Sequence, residues 1–204
     1  RLKETAERII GHDMAVERVA GLNPDEVRSL IMFEEARAAE AYWQGVKLLI
    51  EGLVEFPGRL KRFDRPQDPL NVMLNYGYGF LASRVWAAVE ATPLDPYMGF
   101  LHIDSSRRPA LVMDLMEEFR QPIVDRVVLR ILFEHRGGQH LLETGRLTAE
   151  GRKILLKALA ERLKQRVTFR DRCLPLEFHI TLQARRICEF LAGRSRSYIP
   201  FTER

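Results

Sequence analysis

Residues 110–138 read ALVMDLMEEFRQPIVDRVVLRILFEHRGG, and the architecture turns on what this run of residues forms. A helix is predicted to start near Ala110 and to be interrupted or kinked at Pro122, whose ring does not fit a regular helix interior. Apolar residues then resume at Ile123, Val127, Ile131 and Leu132, a helical spacing, until Gly137-Gly138 stops it. The same run carries Asp114, Glu117 and Glu118. Asp114 and Glu117 stand at i and i+3, so one helix face presents both, with Cβ atoms roughly 5–6 Å apart.

Outward from it, helical signals dominate. Asn23-Pro24-Asp25-Glu26 combines a capping side chain, a first-turn proline and acids at the positive helix end. The pattern then runs without a breaker to about Glu51. A second helix follows Asp68-Pro69, carrying Leu74, Leu81, Val85 and Val89 toward Pro93. Thr148 caps a basic helix extending to about Arg166, with Ile154, Leu155, Leu159 and Leu163 inward. The last helix spans roughly Leu176–Leu191 and ends at Gly193. Residues 93–109 form the longest inter-helix loop with chemical side chains, with room for a short hairpin near Ile103–Arg108. The expected fold is all-α, with at most a short hairpin: a single multi-helix domain over residues 1–204, with residues 1–20 forming an N-terminal helical segment that leads into it.

Hydrophobic residues are 46% and charged residues 29% of the 204, the balance of an ordinary globular protein. No apolar stretch reaches membrane-spanning length, and the start Arg1-Leu2-Lys3-Glu4 is no signal peptide. Cys173 and Cys188 lack metal-site spacing and imply no disulfide framework, so a reducing cytoplasm is expected. The chain opens on arginine inside a helical pattern, as a fragment or trimmed chain would. Its charge is unevenly placed. From Arg120 to Arg172, 13 Lys and Arg face 6 Asp and Glu, so that stretch carries +7 while the whole chain carries +4. Such a concentration suits a polyanionic partner, although solvated helix faces give the same count.

Three elements carry the candidate chemistry. With Glu35 at zero and about 100° per residue, Ile31, Tyr42, Val46, Leu49 and Leu53 all fall within about 40° of it. Glu35 is therefore expected on the apolar stripe and Glu34 at its edge. A carboxylate there needs a cation or a hydrogen-bond partner, and an arginine from another helix serves as well as a metal. The Asp114 and Glu117 pair reads either as cation ligands or as an acidic helix start, with Glu118 competing to point inward. His102 follows the apolar run Gly99-Phe100-Leu101, as a buried histidine would, and its imidazole could also complete an oxygen-rich Mn²⁺ site.

Several motifs stand in order: Glu35-x-x-Ala38-Ala39-x-x-Tyr42-Trp43; Arg65-Pro66-x-Asp68-Pro69-x-Asn71; Leu74-Asn75-Tyr76-Gly77-Tyr78; Leu94-Asp95-Pro96-Tyr97-x-Gly99-Phe100-Leu101-His102; and Asp114-Leu115-Met116-Glu117-Glu118-Phe119-Arg120. Gln183-Ala184-Arg185-Arg186 and Tyr198-x-Pro200-Phe201 follow them. Together they resemble the CRISPR-associated endonuclease/integrase family, metal-dependent enzymes that insert new spacers into a CRISPR array. The resemblance implies Mg²⁺ or Mn²⁺ held by Glu35, His102 and Glu117, with Asp114 as a second acid in the catalytic site. Ala36 stands where the family usually has glycine. Family members also carry an N-terminal β-rich domain that builds the dimer, and no strand-rich segment supplies one here, so the catalytic domain alone is expected.

The resemblance further implies phosphoryl transfer on double-stranded and branched DNA, a small ferredoxin-like adaptation partner, and a homodimer in the full-length protein. Arg120, Arg126, Arg130, Lys153 and Lys157 are candidates for DNA backbone contacts. The rival readings are a non-catalytic helical nucleic-acid-binding module, with the acids in structural ion pairs, and a helical hydrolase of small phosphoesters.

Overall fold

The computed structural model describes residues 3–5, 7, 23–101 and 108–203. The chain forms two compact units, Arg1–Leu60 and Lys61–Arg204.

The first unit is built on a long helix, α1 (Pro24–Leu49), which starts where the Asn23-Pro24 signal places it. Among the described residues of this unit, Ala41, Val46, Ile50 and Phe56 are buried and apolar. Trp43 packs against Phe56 with ring centroids 6.1 Å apart, and the Arg59 guanidinium lies 5.9 Å from the Trp43 ring. Here one expectation is corrected. Glu34 is buried at 9% exposure, whereas Glu35 is exposed, the reverse of the apolar-stripe reading. The buried face of α1 runs through Glu34, Ala41 and Gly45, an acid and two small residues that leave little apolar signal. Meanwhile Leu30, Met32, Phe33 and Leu49 are exposed. Hydrophobicity alone therefore misplaces the stripe by about one residue's turn around Glu34, whereas Val46, on the expected stripe, is buried. Most of the N-terminal helical segment expected over residues 1–20 lies outside the described residues.

The second unit holds helices α2 (Pro69–Glu90), α3 (Ala110–Phe119), α4 (Arg126–Glu134), α5 (Ala149–Lys164) and α6 (Leu176–Leu191). Asp68 caps α2 by accepting from the Asn71 amide at 2.8 Å, and Thr148 caps α5 by accepting from the Gly151 amide at 3.0 Å. Fully buried Leu70, Leu74, Leu81, Leu115, Phe119, Ile123, Leu159 and Leu176 form the core.

The expected interruption at Pro122 takes a specific form. Residues Arg120–Asp125 form a π-helical segment joining α3 to α4 without a break. An α-register proline would leave the Glu118 carbonyl without its amide donor and clash with it, and a wider turn relieves both. The Pro122 carbonyl in turn accepts from the buried Arg162 Nε at 2.9 Å. Gly77 of α2 faces this segment: a Cβ there would fall 2.5 Å from Val124 Cγ1. Glycine at this point lets α2 and the widened turn touch.

Two hairpins, rather than at most one, are present among the described residues. Strand β1 (Leu142–Glu143) pairs antiparallel with β2 (Arg146–Leu147), and β3 (Arg166–Phe169) with β4 (Arg172–Pro175). The basic helix consequently ends at Lys164, and Arg166 opens a strand. The β3–β4 turn places Arg170 and Asp171 at φ 49° and 62°. That is the left-handed turn hairpins favour, made here without glycine, so no punctuation marks it in the sequence. The possible hairpin near Ile103–Arg108 lies almost wholly outside the described residues. No described helix is long and apolar enough to cross a membrane.

Candidate metal and nucleic-acid site

Helix α3 carries three acids, and each is committed differently. Asp114 Oδ2 accepts the backbone amides of Phe100 at 2.5 Å and Leu101 at 3.0 Å. Glu117, 31% exposed, pairs through Oε1 with Arg120 Nη1 at 2.8 Å. Glu118 turns inward. It accepts from Gln183 Nε2 at 2.8 Å, from the Phe201 amide at 2.7 Å and from the Tyr198 hydroxyl. The competition between Glu117 and Glu118 for the inward position thus has a geometric answer: Glu118 is tied to the C-terminal tail.

That tie shifts both ionisable groups of the pair. Burial pushes the Glu118 carboxyl above its ordinary range, and the hydrogen bonds from Phe201, Tyr198 and Gln183 pull it down by less. Burial, then the Glu118 charge, raises the Tyr198 phenol far beyond its usual range. Around them Phe201 is buried, stacked on Phe119 with centroids 4.9 Å apart and close to Phe169 and His179. Glu203 holds the tail in a double ion pair, 2.5 Å from Arg162 and 2.8 Å from Arg126. Gln183 and Tyr198 enter the sequence reading only as motif letters. A glutamine on the apolar face of α6 is the signal that marks such a hub.

Arg120 links the acids to α2. Its guanidinium lies 4.9 Å from the Tyr78 ring, and the Tyr78 hydroxyl donates to the buried Asp125 at 2.5 Å. Its Nε is buried without a hydrogen-bond partner, so the donor capacity of this cation is not all taken up within the described residues.

The other basic candidates mostly lie beside acids as well. Arg126 pairs with Glu203, Arg130 approaches Glu134 at 3.8 Å and Lys157 approaches Glu161 at 4.0 Å, while Lys153 is exposed. Exposed pairs of this kind are worth little and yield readily to a phosphate.

Of the expected cation ligands, Glu35 lies on α1 in the first unit and Glu117 on α3 in the second, while His102 lies outside the described residues. No group of three His, Cys, Asp or Glu side chains forms a metal cluster among the described residues. The donor chemistry nonetheless fits a hard divalent cation: two carboxylates and an imidazole, one carboxylate already holding a cationic group in Arg120.

The family described as CRISPR associated protein Cas1 matches residues 1–161. The chain belongs to the Cas1 family. A CRISPR-associated endonuclease Cas1 of Archaeoglobus fulgidus is 39% identical over 180 residues, covering 84% of this chain and 52% of that relative. The chain therefore spans about half the length of the curated Cas1 relatives it matches. Its fold resembles a casposase bound to integration product, with TM-score 0.73, 21% identity, and coverage of 95% of this chain and 58% of that one. It also resembles a chain of a partial Cas6-RT-Cas1–Cas2 complex, with TM-score 0.72, 22% identity, and coverage of 98% and 66%. At these identities the two structures speak for the fold.

Proposed function

We propose that this chain is the α-helical catalytic part of a metal-dependent DNA endonuclease/integrase that inserts spacer DNA into a CRISPR array. The observation that carries the reading is the division of labour on α3: Glu118 is withdrawn into the tail, while Asp114 meets the 100–101 backbone and Glu117 stays partly exposed beside Arg120. Membership of the Cas1 family and the ordered motifs support it.

In this reading Glu35, His102 and Glu117 hold Mg²⁺ or Mn²⁺. When bound, the cation polarises the scissile phosphate and stabilises the charge that develops on it. The chain's own residues position the reactants. Arg120, beside Glu117 and with donors to spare, faces the phosphate, and Arg126, Arg130, Lys153 and Lys157 hold the DNA backbone. A spacer 3′-hydroxyl attacks the phosphodiester at the repeat edge; a new P–O bond forms as the old one breaks and the leaving 3′-oxygen takes a proton. With water as nucleophile the same site cleaves DNA. In this reading the working protein is a homodimer acting with a small ferredoxin-like partner; the Cas1–Cas2 complex among its structural neighbours supports a Cas2 partner.

The Glu117–Arg120 ion pair gives the rival some ground: a DNA-binding module with structural acids would also show it. The intact protein decides between them on branched DNA. The catalytic reading expects cleavage and strand transfer that require Mn²⁺ and vanish in His102→Ala and Glu117→Ala, with DNA affinity retained. Wild-type rates in both variants would leave the binding module standing.

A further inference from the structure

Asp114 sits three residues before Glu117 on the same helix face, where the family resemblance implies a second acid in the catalytic site. Its surroundings give it other work. The loop leading to α3 is laid along the first turns of that helix by a series of contacts. Asp95 closes a turn by accepting from the Tyr97 amide at 2.9 Å, and the Pro96 carbonyl accepts from the Leu111 amide at 3.1 Å. Gly99 lies directly on the helix: a Cβ there would come within 2.7 Å of Ala110 Cβ and 2.8 Å of Asp114 Oδ2. The Phe100 and Leu101 amides then converge on that one oxygen, at 2.5 and 3.0 Å. Two successive amides on one carboxylate oxygen form a charge-assisted backbone clamp, stronger and more directional than neutral hydrogen bonds.

From this geometry we infer that Asp114 is a positioning residue: it anchors the 99–101 backbone, and hence the chain position immediately before His102, rather than ligating the cation. The inference rests on the proposed site, since an anchor for His102 matters only if His102 is a ligand. What Asp114 must supply is an acceptor oxygen for two amides, and its charge strengthens the clamp without being the essential element. Gly99 is the second half of the device, because any side chain there would lift the loop off its anchor.

The test separates the anchor from the metal site. Amide hydrogen exchange of the metal-free protein is followed by NMR in wild type, Asp114→Asn, Asp114→Ala and Gly99→Ala, with circular dichroism reporting the fold. Asparagine keeps an acceptor oxygen and should keep Phe100 and Leu101 protected, whereas Asp114→Ala and Gly99→Ala should speed their exchange about 10- to 100-fold without affecting α6. Mn²⁺ binding, read by electron paramagnetic resonance, should follow the same order. Asp114→Asn should stay within about tenfold of wild type and Asp114→Ala should weaken by about 10- to 100-fold, as loss of a residue supporting a ligand does, with Glu117→Ala weaker still. Unchanged exchange in Asp114→Ala overturns the anchor. Mn²⁺ binding in Asp114→Asn as poor as in Asp114→Ala also overturns it, because charge rather than acceptance would then be what counts. Failure of the wild type to bind Mn²⁺ overturns the proposed function instead, and the exchange result still decides the anchor.

Discussion

Glu117 and Glu118 are adjacent, chemically identical and on the same helix, yet they belong to different regions of the molecule. Glu117 lies partly exposed beside Arg120, an arginine whose guanidinium lies over the Tyr78 ring. Glu118 borders the tail side, where three donors from two segments close around it. The carboxylate that holds the fold together is thus the one with several neutral donors and little room. The one suited to exchange a protein cation for a metal ion has a partner, Arg120, that can turn to a phosphate. A buried acid released from such a hub strands its donors, whereas a surface ion pair costs little to break.

Removing the two carboxylates in turn should give opposite outcomes if this division is right. Glu117→Ala should abolish Mn²⁺-dependent strand transfer, a loss of more than about a hundredfold, while moving stability by no more than about 0.5 kcal/mol. Glu118→Ala should act on stability instead, costing about 2–4 kcal/mol in urea unfolding, because Gln183, Tyr198 and the Phe201 amide lose their common acceptor. A Glu118→Ala protein as stable as wild type would show that the tail is not a structural part of the domain.

The tail side can be probed again without touching a charge. Phe201 is buried between Phe119, Phe169 and His179. Phe201→Ala removes the ring and leaves a cavity, so it should cost about 3–4 kcal/mol. The denaturant midpoint checks this, and strand transfer measured well below that midpoint should survive.

How far the sequence reveals these two regions depends on which physical signals it carries. Helices α2, α3, α5 and α6 are legible because caps at Asp68 and Thr148, and apolar spacing with a glycine stop, are local. The fate of Pro122 is half legible: a proline announces a departure from α geometry, but the choice of a π turn depends on Arg162 and on the space above Gly77. The β3–β4 hairpin is hidden because its turn uses Arg170 and Asp171 in a conformation normally marked by glycine. On α1, small buried residues conceal the buried face and make Glu35 look inward when Glu34 is. In the site, the i and i+3 spacing of Asp114 and Glu117 is visible. The donors that commit Asp114 and Glu118 lie 13 to 83 residues away in the chain and leave no local trace.

A pH series tests the same division more gently. Burial raises the Glu118 carboxyl above its unfolded value, so the folded state holds that proton more tightly than the unfolded one. Its contribution to stability is therefore fully present below the ordinary glutamate range and is lost as pH rises through the elevated folded value. Glu118→Gln, which cannot ionise, should lower stability overall by the change in hydrogen bonding yet remove this decline. Unfolding midpoints compared between about pH 5 and pH 8 should fall less steeply in the variant than in wild type. Parallel slopes would mean that Glu118 does not titrate differently in the folded state.

The exposed basic side chains should respond least of all in stability. Arg130 and Lys157 each sit beside an acid one helical turn on, at 3.8 and 4.0 Å, and both are well exposed, as is Lys153. Alanine at any of the three should change unfolding free energy by less than about 0.5 kcal/mol, because solvent screens such pairs and side-chain entropy offsets them. DNA binding is the more sensitive readout: removing one cation that neutralises a phosphate should lower the slope of log affinity against log salt by about 0.9, equally for any sequence. Lys153, with no ion pair among the described residues to break first, should give the cleanest reduction. If Lys153→Ala left the salt slope untouched while Arg126→Ala lowered it, the DNA path would run along the tail side, past Glu203, and the separation between a structural side and a working side of α3 would fail.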